Sequence, residues 1–276
     1  MPPANSASRA GGMPKASRDR SLGTFAKIMN AHATSAPKSN ILIWDIPNRI
    51  FHWGFAASVL GALSIAFLAD DEPPLFQLHM LFGIVALFLL ILRIVMGFVG
   101  SRYSRFSSYP VHPREVITYM ISAAISKTKR YAGNNPGSAV AALLMFTLIP
   151  ALFISGTGFM GEPAEDLHEL FAWALLATIV LHLAGLAWHT IRHRENISLA
   201  MVTGRKSGHQ EDAIPSAHPL WGGIFLLVSA LWIAAFFASH NPTTGTVRLP
   251  GIGVTFQLGE NESEGGGEHR ENDDDD

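Results

Sequence analysis

Four histidines at matched positions in long apolar segments are the residues of this chain best suited to bind a metal. His52 lies near the start of the first apolar segment and His79 near the start of the second. His168 and His182 both lie on the fourth, fourteen residues apart. This spacing is close to four helical turns, so the two side chains share a helix face and are separated by about 21 Å. That length is most of a bilayer core, and it predicts two metal centres stacked across a membrane.

Five apolar blocks must position these histidines. Hydrophobic residues make up 48% of the chain and charged residues only 15%, and the charged residues fall mainly between the blocks. The blocks cover about 48–68, 75–99, 138–158, 166–191 and 219–239. Each is long enough, at about 1.5 Å per residue, to cross about 30 Å of hydrocarbon as a helix. The expected fold is therefore an all-α integral membrane bundle of four helices plus a fifth transmembrane helix.

The distribution of lysine and arginine predicts the orientation of these helices. The first 40 residues carry six such residues, residues 100–135 carry six more, and residues 192–206 carry four. By contrast, the connections 70–72 and 162–169 contain acidic residues and no lysine or arginine. Because cytoplasmic loops are enriched in basic residues, the N-terminus is expected in the cytoplasm and the C-terminus on the far side.

This orientation sorts the histidines into two facing pairs, His52/His182 near the cytoplasm and His79/His168 near the far surface. Neutral imidazole is a common ligand of haem iron, and a porphyrin needs only two axial ligands. A zinc or iron transporter would also need acidic residues within its helices, and they occur here only at the boundaries. The chain has no cysteine, so covalent thioether attachment is excluded. The sequence predicts two haems b, each with two histidine ligands.

Other roles for individual histidines stay open. His52 is next to Trp53, so it could belong to an interfacial aromatic belt. His189 lies seven residues after His182 on the same face and is its rival as a ligand. His189 and His193 are also placed to complement the helix C-terminal dipole, or to take up protons.

Two arginines are candidates for countercharges to haem propionates. Arg93 lies fourteen residues after His79, hence on nearly the same face and at the cytoplasmic depth of the other pair. We expect Arg93 to form a propionate salt bridge, and the alternative is that it extends to the cytoplasmic surface. Arg49, one turn before His52, is the second candidate.

Three strings of residues carry a family resemblance. They are Trp44–Trp53, Gly97–Phe106, and His193–Asn196 followed by Met201–Lys206. Over about residues 40–210 the chain resembles the bacterial cytochrome b561 family, in the branch of the b-type cytochrome subunits of nickel–iron hydrogenases. The resemblance implies a four-helix bundle that binds two b haems and passes electrons between a partner protein and membrane quinone. It also favours His182 over His189, because the fourteen-residue spacing matches the ligand pattern of the family.

One segment departs from the family pattern. Where relatives usually have Gly-His-Asn-Pro before the third helix, this chain has Gly133-Asn134-Asn135-Pro136-Gly137. In similar proteins this region borders a quinone site, so Asn135 and Gly137 are candidate quinone contacts. The alternative is a plain turn before a helix.

The predicted function is electron transfer in a bacterial inner membrane, between a periplasmic cytochrome c or other redox protein and the quinone pool. A stand-alone superoxide:quinone oxidoreductase is a second hypothesis, and the acidic far-side loops disfavour it because they repel an anion. A haem-free membrane scaffold or proton relay is a third. The lipid bilayer is an expected partner and nucleic acid is not.

The chain is expected to divide into three parts. Residues 1–39 form a disordered cytoplasmic tail with no secretory signal, 40–240 the transmembrane domain, and 241–276 an acidic far-side tail. The Arg/Ser-rich, acid-poor start also resembles a transit peptide, which is the alternative. The stretch 113–130 is amphipathic and is expected to lie along the cytoplasmic interface. Residues 243–258 alternate like a strand, and the acidic end after them could steer a basic cytochrome c.

Overall fold

In a computed structural model of the protein, five helices are long and apolar enough to cross a membrane. The structure describes residues 39–68, 73–125, 129–157 and 163–258. The predicted tail 1–38, the acidic loop residues 70–72 and Glu162, and the acidic residues after 258 lie outside the described residues.

Helices account for most of the described chain, as predicted. The five long helices are α1 (Ile46–Leu68), α2 (Pro73–Val99), α4 (Pro136–Gly156), α5 (Pro163–His193) and α7 (Pro219–Ala238). The short helices are α3 (Pro113–Ile125) and α6 (Ala200–Thr203), and single 3-10 turns cover Phe106–Ser108 and Gln210–Asp212. The strands are β1 (Ser39–Leu42), β2 (Arg205–Gly208), β3 (Thr246–Arg248) and β4 (Thr255–Gln257). The last two strands pair antiparallel, which matches the alternation predicted for 243–258.

Prolines explain why four of the long helices begin two or three residues earlier than predicted. Pro is the first residue of α2, α4 and α5, and the second of α1. The missing N–H of proline is not needed in the first helical turn, and its fixed φ suits the helix. At α4 the preceding Asn135 adds a cap, because its side chain accepts a hydrogen bond from the backbone N–H of Ser138.

The long helices pack as two antiparallel pairs. Helix α1 packs against α2, α4 packs against α5, and α2 connects the pairs by its contact with α4. Helix α7 lies against α1. The largest buried cluster is formed mainly by side chains of α1 and α2, such as Phe51, Phe55, Leu81, Leu89 and Leu90. Across the described residues, α1 and α5 are not extensively packed against each other.

The connections collect at two ends of the bundle. Strand β1, before α1, pairs antiparallel with β2, after α5, in a register that places Leu42 opposite Arg205. The loop after α2 joins the same end, where Tyr103 donates a hydrogen bond to the carbonyl of Asp212. We call this end, formed by residues 39–45, 100–125, 129–135 and 194–218, the basic end. At the other end, called the opposite end, Gln77 of α2 lies 3.0 Å from His240 after α7.

Candidate functional site

His79 of α2 and His168 of α5 come together at the opposite end. Their ring centres are 6.2 Å apart and the ring planes make an angle of 66°. Bonds between a metal and an imidazole nitrogen are about 2 Å long, so two ring centres on opposite sides of one metal lie about 6 to 6.5 Å apart. The separation is therefore the one expected for two ligands of a single metal ion.

Backbone carbonyls orient both of these rings. Nδ1 of His79 lies 2.9 Å from the carbonyl oxygen of Ala62, and Nδ1 of His168 lies 3.0 Å from that of Leu152. A carbonyl oxygen only accepts, so each Nδ1 carries the proton and each Nε2 is left as an unprotonated donor to a metal. Such contacts fix the ring and raise its basicity as a ligand.

His52 of α1 and His182 of α5 form the second pair, nearer the basic end. They are close enough for their charges to interact. Nδ1 of His52 is buried and has no hydrogen-bond partner within the described chain. A buried polar nitrogen without a partner costs free energy, so this arrangement favours a ligand at His52 that the chain does not itself supply.

Arg93 lies against Phe51, the residue before His52, and is almost fully buried, with 2% of its surface exposed. Its Nη2 donates a 2.7 Å hydrogen bond to the hydroxyl of Tyr109, whereas its Nη1 is buried without a partner in the described residues. The guanidinium carbon lies 5.3 to 5.7 Å from the ring centres of Phe51, Phe106 and Phe146. The alternative that Arg93 extends to the aqueous surface is therefore wrong. Its contact with Phe51 brings its charge close to the residue that precedes His52, and a propionate salt bridge at Arg93 stays a prediction.

Tyr109 and Phe106 were not identified from the sequence. Burial raises the pKa of Tyr109, so its phenol stays neutral and can accept from Arg93. Phe106 reaches Arg93 by crossing α2 at Gly97, where any side chain would collide with its ring. The available signal was Arg93 itself, because a buried arginine needs a polar neighbour and the loop after α2 is the nearest source.

Arg49 connects α1 to the loop around α6. Its Nη2 donates to the carbonyl of Val202, and its Nε is buried without a partner in the described structure. One turn later, the indole of Trp53 donates a 3.1 Å hydrogen bond to the carbonyl of Met201. Together with Asp45, whose carboxylate caps α1 at the N–H of Asn48, these contacts give the Trp44–Trp53 string a structural role. A propionate contact for Arg49 stays a prediction.

The turn before α4 is explained by helix capping. The side-chain oxygen of Asn135 is used by Ser138, at 2.9 Å. A Cβ at Gly137 would lie 3.4 Å from the ring of Tyr119, so α3 covers this turn closely. The contribution of Asn135 and Gly137 to a quinone site stays a prediction.

The remaining histidines of α5, His189 and His193, lie next to each other. The ring centres of His189 and His193 are 4.4 Å apart at the end of the helix. His182, rather than His189, is the residue that lies near His52.

The two pairs fit the haem that the sequence predicts. In the described part of the chain no group of three or more histidine, cysteine or acidic side chains is placed to hold a metal ion. Two imidazoles per site suit a porphyrin, which supplies the other four ligands. Gly83 and Gly185 follow the histidines of α2 and α5 by about one turn, and a Cβ at either would meet nothing within 4 Å. His52, His79, His168 and His182 are thus the residues that would hold haem, with Arg93 beside the basic-end pair.

Comparisons with known proteins agree with this geometry. The family model of prokaryotic cytochrome b561 matches residues 43–204, more than half of the chain. A "Probable Ni/Fe-hydrogenase B-type cytochrome subunit" of Rhizobium leguminosarum bv. viciae is 24% identical over 228 residues, covering 64% of this chain and 93% of the relative. A protein of the same name from Bradyrhizobium diazoefficiens is 24% identical over 215 residues, covering 61% and 87%. No solved structure matches the chain. The predicted resemblance is confirmed, and this membrane protein belongs to the prokaryotic cytochrome b561 family.

Proposed function

We propose that this protein is the membrane electron-transfer subunit of an oxidoreductase. It holds two haems b, one at His52/His182 and one at His79/His168, and carries electrons between a redox partner at the opposite end and quinone at the basic end. The observation that carries this proposal is the geometry of His79 and His168. Their separation suits one iron atom, and the carbonyl contacts leave both Nε2 atoms available as ligands.

The chain contributes position and charge to this function. A haem iron with two imidazole ligands exchanges one electron and has no open position for a substrate. Helix α5 supplies one ligand to each pair, so this single rigid element fixes the distance between the two centres. Arg93 supplies a buried positive charge at one centre only.

The orientation we propose places the basic end in the cytoplasm. Described lysines and arginines at this end include Arg102, Arg105, Arg114, Arg130 and Lys206. The positive-inside rule supports a bacterial inner-membrane protein with a cytoplasmic N-terminus and a periplasmic C-terminus. A cysteine-accessibility assay with an impermeant reagent tests this, since Ser207→Cys should react only from the cytoplasmic side.

The names of the relatives support an oxidoreductase of the hydrogenase type as the partner, and the proposed orientation would place it in the periplasm. A soluble cytochrome c is the other candidate, supported by the acidic C-terminal sequence. The two are distinguished by deleting residues 260–276, which should slow electron exchange with a basic cytochrome c at low salt. An unchanged rate would exclude that electrostatic role of the tail.

The decisive experiment is a reduced-minus-oxidised optical spectrum of the purified protein, with a pyridine haemochrome count. We expect two b haems per chain, both reduced when a short-chain quinol is added to the protein in liposomes. Absence of haem would contradict the proposal, and haem that no quinol reduces would contradict the quinone link alone.

The other two hypotheses receive less support. Glu165, Asp166 and Glu169 lie on α5 beside His168, so an anion such as superoxide would be repelled at the opposite end. A haem-free scaffold or proton relay does not agree with membership of a cytochrome family.

A further inference from the structure

Helix α3 lies outside the five spanning helices and presents an apolar face that the chain leaves uncovered. Its 13 residues are too few to cross a bilayer. Four large apolar side chains share one helix face at relative positions 0, 3, 4 and 8, and all are more than half exposed. They are Ile117 (59%), Met120 (57%), Ile121 (55%) and Ile125 (73%). A face of this kind next to transmembrane helices is expected to rest in the lipid interface.

Contacts to the bundle hold α3 at the level of that interface. The indole of Trp188, on the last turns of α5, donates a 2.9 Å hydrogen bond to the carbonyl of Ala123. Trp188 is half exposed, as is typical of the tryptophans that mark the boundary between hydrocarbon and water. On the other side, the hydroxyl of Tyr131 donates a 2.8 Å hydrogen bond to the carboxylate of Glu115.

A cavity of about 360 Å³ opens beside the apolar face. It is lined by Arg114, Glu115, Thr118, Tyr119, Ser122, Lys129 and Tyr131. On the helical wheel Arg114 and Thr118 lie at the border of the apolar face, next to Ile121 and Ile125. A ligand with a polar head in the cavity would therefore have its apolar part along the exposed face of α3.

The cavity is lined by two cations, Arg114 and Lys129, and one carboxylate, Glu115, so its net positive charge favours an anion. Glu115 is engaged by Tyr131, and burial together with this contact raises the pKa of Tyr131 to about 12, so its phenol remains a neutral donor. Arg114 and Lys129 take part in no ion pair among the residues that the structure describes. Lys129 lies 5.3 Å above the ring of Tyr131, which directs its ammonium group over the cavity wall. Two cations with hydroxyl groups between them suit a phosphate.

We propose that this cavity binds the phosphate headgroup of an anionic phospholipid. The phosphate lies between Arg114 and Lys129 with Thr118 at its edge, and the acyl chains run along Ile117, Ile121 and Ile125. Basic pockets beside transmembrane helices bind such lipids by the same combination of charge and apolar surface. The bound lipid would hold α3 against the turn before α4, where the ring of Tyr119 lies close to Gly137.

The test measures retention of phosphatidylglycerol by the purified full chain, using native mass spectrometry after reconstitution in mixed phosphatidylglycerol and phosphatidylcholine nanodiscs. The variant is Arg114→Gln/Lys129→Gln. The control is Arg105→Gln/Arg194→Gln, which removes the same charge from two exposed positions at the same end. Each basic residue near an anionic lipid contributes about fivefold in affinity. We therefore expect retention to fall about 25-fold in the variant and to change little in the control.

Three outcomes would overturn the proposal. Equal losses in the variant and the control would show general attraction to a basic surface. Equal retention of phosphatidylcholine would show that charge is not recognised. Displacement of the lipid by millimolar inorganic phosphate would identify a site for free phosphate instead. If the double variant fails to fold, as judged by gel filtration, Thr118→Val with Lys129→Gln provides the same test with smaller disturbance to the start of α3.

Discussion

The two histidine pairs differ in how the chain surrounds them. At the opposite end, both rings are oriented by backbone carbonyls through Nδ1. At the basic end, Nδ1 of His52 has no hydrogen bond in the described chain, and the buried charge of Arg93 lies against the ring of the neighbouring Phe51. A hydrogen bond from an imidazole N–H makes the ligand more electron-rich and stabilises the oxidised iron, whereas a nearby cation stabilises the reduced iron.

The difference suggests that the same ligand type gives two centres of unequal potential. The opposite-end centre is expected to have the lower potential and the basic-end centre the higher one. Electrons that enter at the opposite end would then move downhill towards the basic end. Four sets of variants test this difference between the two centres.

The largest effect is expected from removing a ligand. His168→Ala should lose the low-potential haem and His182→Ala the high-potential haem, so that each variant keeps about half of the haem in a pyridine haemochrome assay. Redox titration identifies which centre remains. His189→Ala is the matched control and should keep both haems, since His189 lies against His193. Loss of the same centre in both ligand variants would contradict the pairing.

The next effect concerns the space beside the ligands. Gly83→Ala places a methyl group one turn from His79, in space that the protein leaves open, and we expect it to lower occupancy of the opposite-end haem. Gly223→Ala on α7 is the control, because a Cβ there also meets nothing within 4 Å and α7 carries none of the four paired histidines. Without haem at its position, each change should instead stabilise its helix, by up to about 1 kcal/mol. Full occupancy in Gly83→Ala would place the haem elsewhere.

A smaller effect is expected from the buried charge. Arg93→Gln should lower the potential of the basic-end centre by about 60 mV, a tenfold change in a one-electron equilibrium, and leave the other centre unchanged. Redox titration measures both potentials in one experiment. Arg105→Gln, at an exposed position of the same end, should shift neither. Equal shifts at both centres in Arg93→Gln would show that the charge does not distinguish them.

The smallest effect is expected at Tyr109. Tyr109→Phe removes the hydroxyl that accepts from Arg93 but keeps the ring and the charge. The potential of the basic-end centre should change by less than in Arg93→Gln, because the guanidinium keeps its charge and its three aromatic neighbours. A shift larger than that of Arg93→Gln would mean that the phenol, rather than the guanidinium, sets the potential.

The sequence was sufficient for the features that depend on spacing along one helix. The fourteen residues from His168 to His182 and from His79 to Arg93 predict shared faces and depths, and in the structure Arg93 lies against Phe51, next to His52. The connections rich in lysine and arginine were predicted to lie on one side of the membrane, and in the structure the described ones lie together at the basic end. The positions of the helices followed from hydropathy; prolines shifted four of their starts, and three of their ends differ by one or two residues from those predicted.

The features that the sequence did not predict depend on how separate elements approach one another. The carbonyls of Ala62 and Leu152 contact histidines 17 and 16 residues away, across a helix–helix interface that no local pattern specifies. Tyr109 reaches Arg93 from a loop, so its role depends on the path of the backbone after α2. The cavity beside α3 is lined by residues of α3 together with Lys129 and Tyr131, and no local sequence pattern shows that these side chains enclose one space.

The pairing of β1 with β2 also sets an order of events during synthesis. Leu42 can pair with Arg205 only after the 163 residues that follow Leu42 have been synthesised, so the β1–β2 pair forms late. At about 5–20 residues per second, ribosomes need about 8–33 s to cover that interval. Because α5 carries one histidine of each pair, neither pair exists until nearly the whole bundle has entered the bilayer. We therefore expect the cofactor to be inserted in the last stage of biogenesis. A chain truncated before α5 would lack one histidine of each pair.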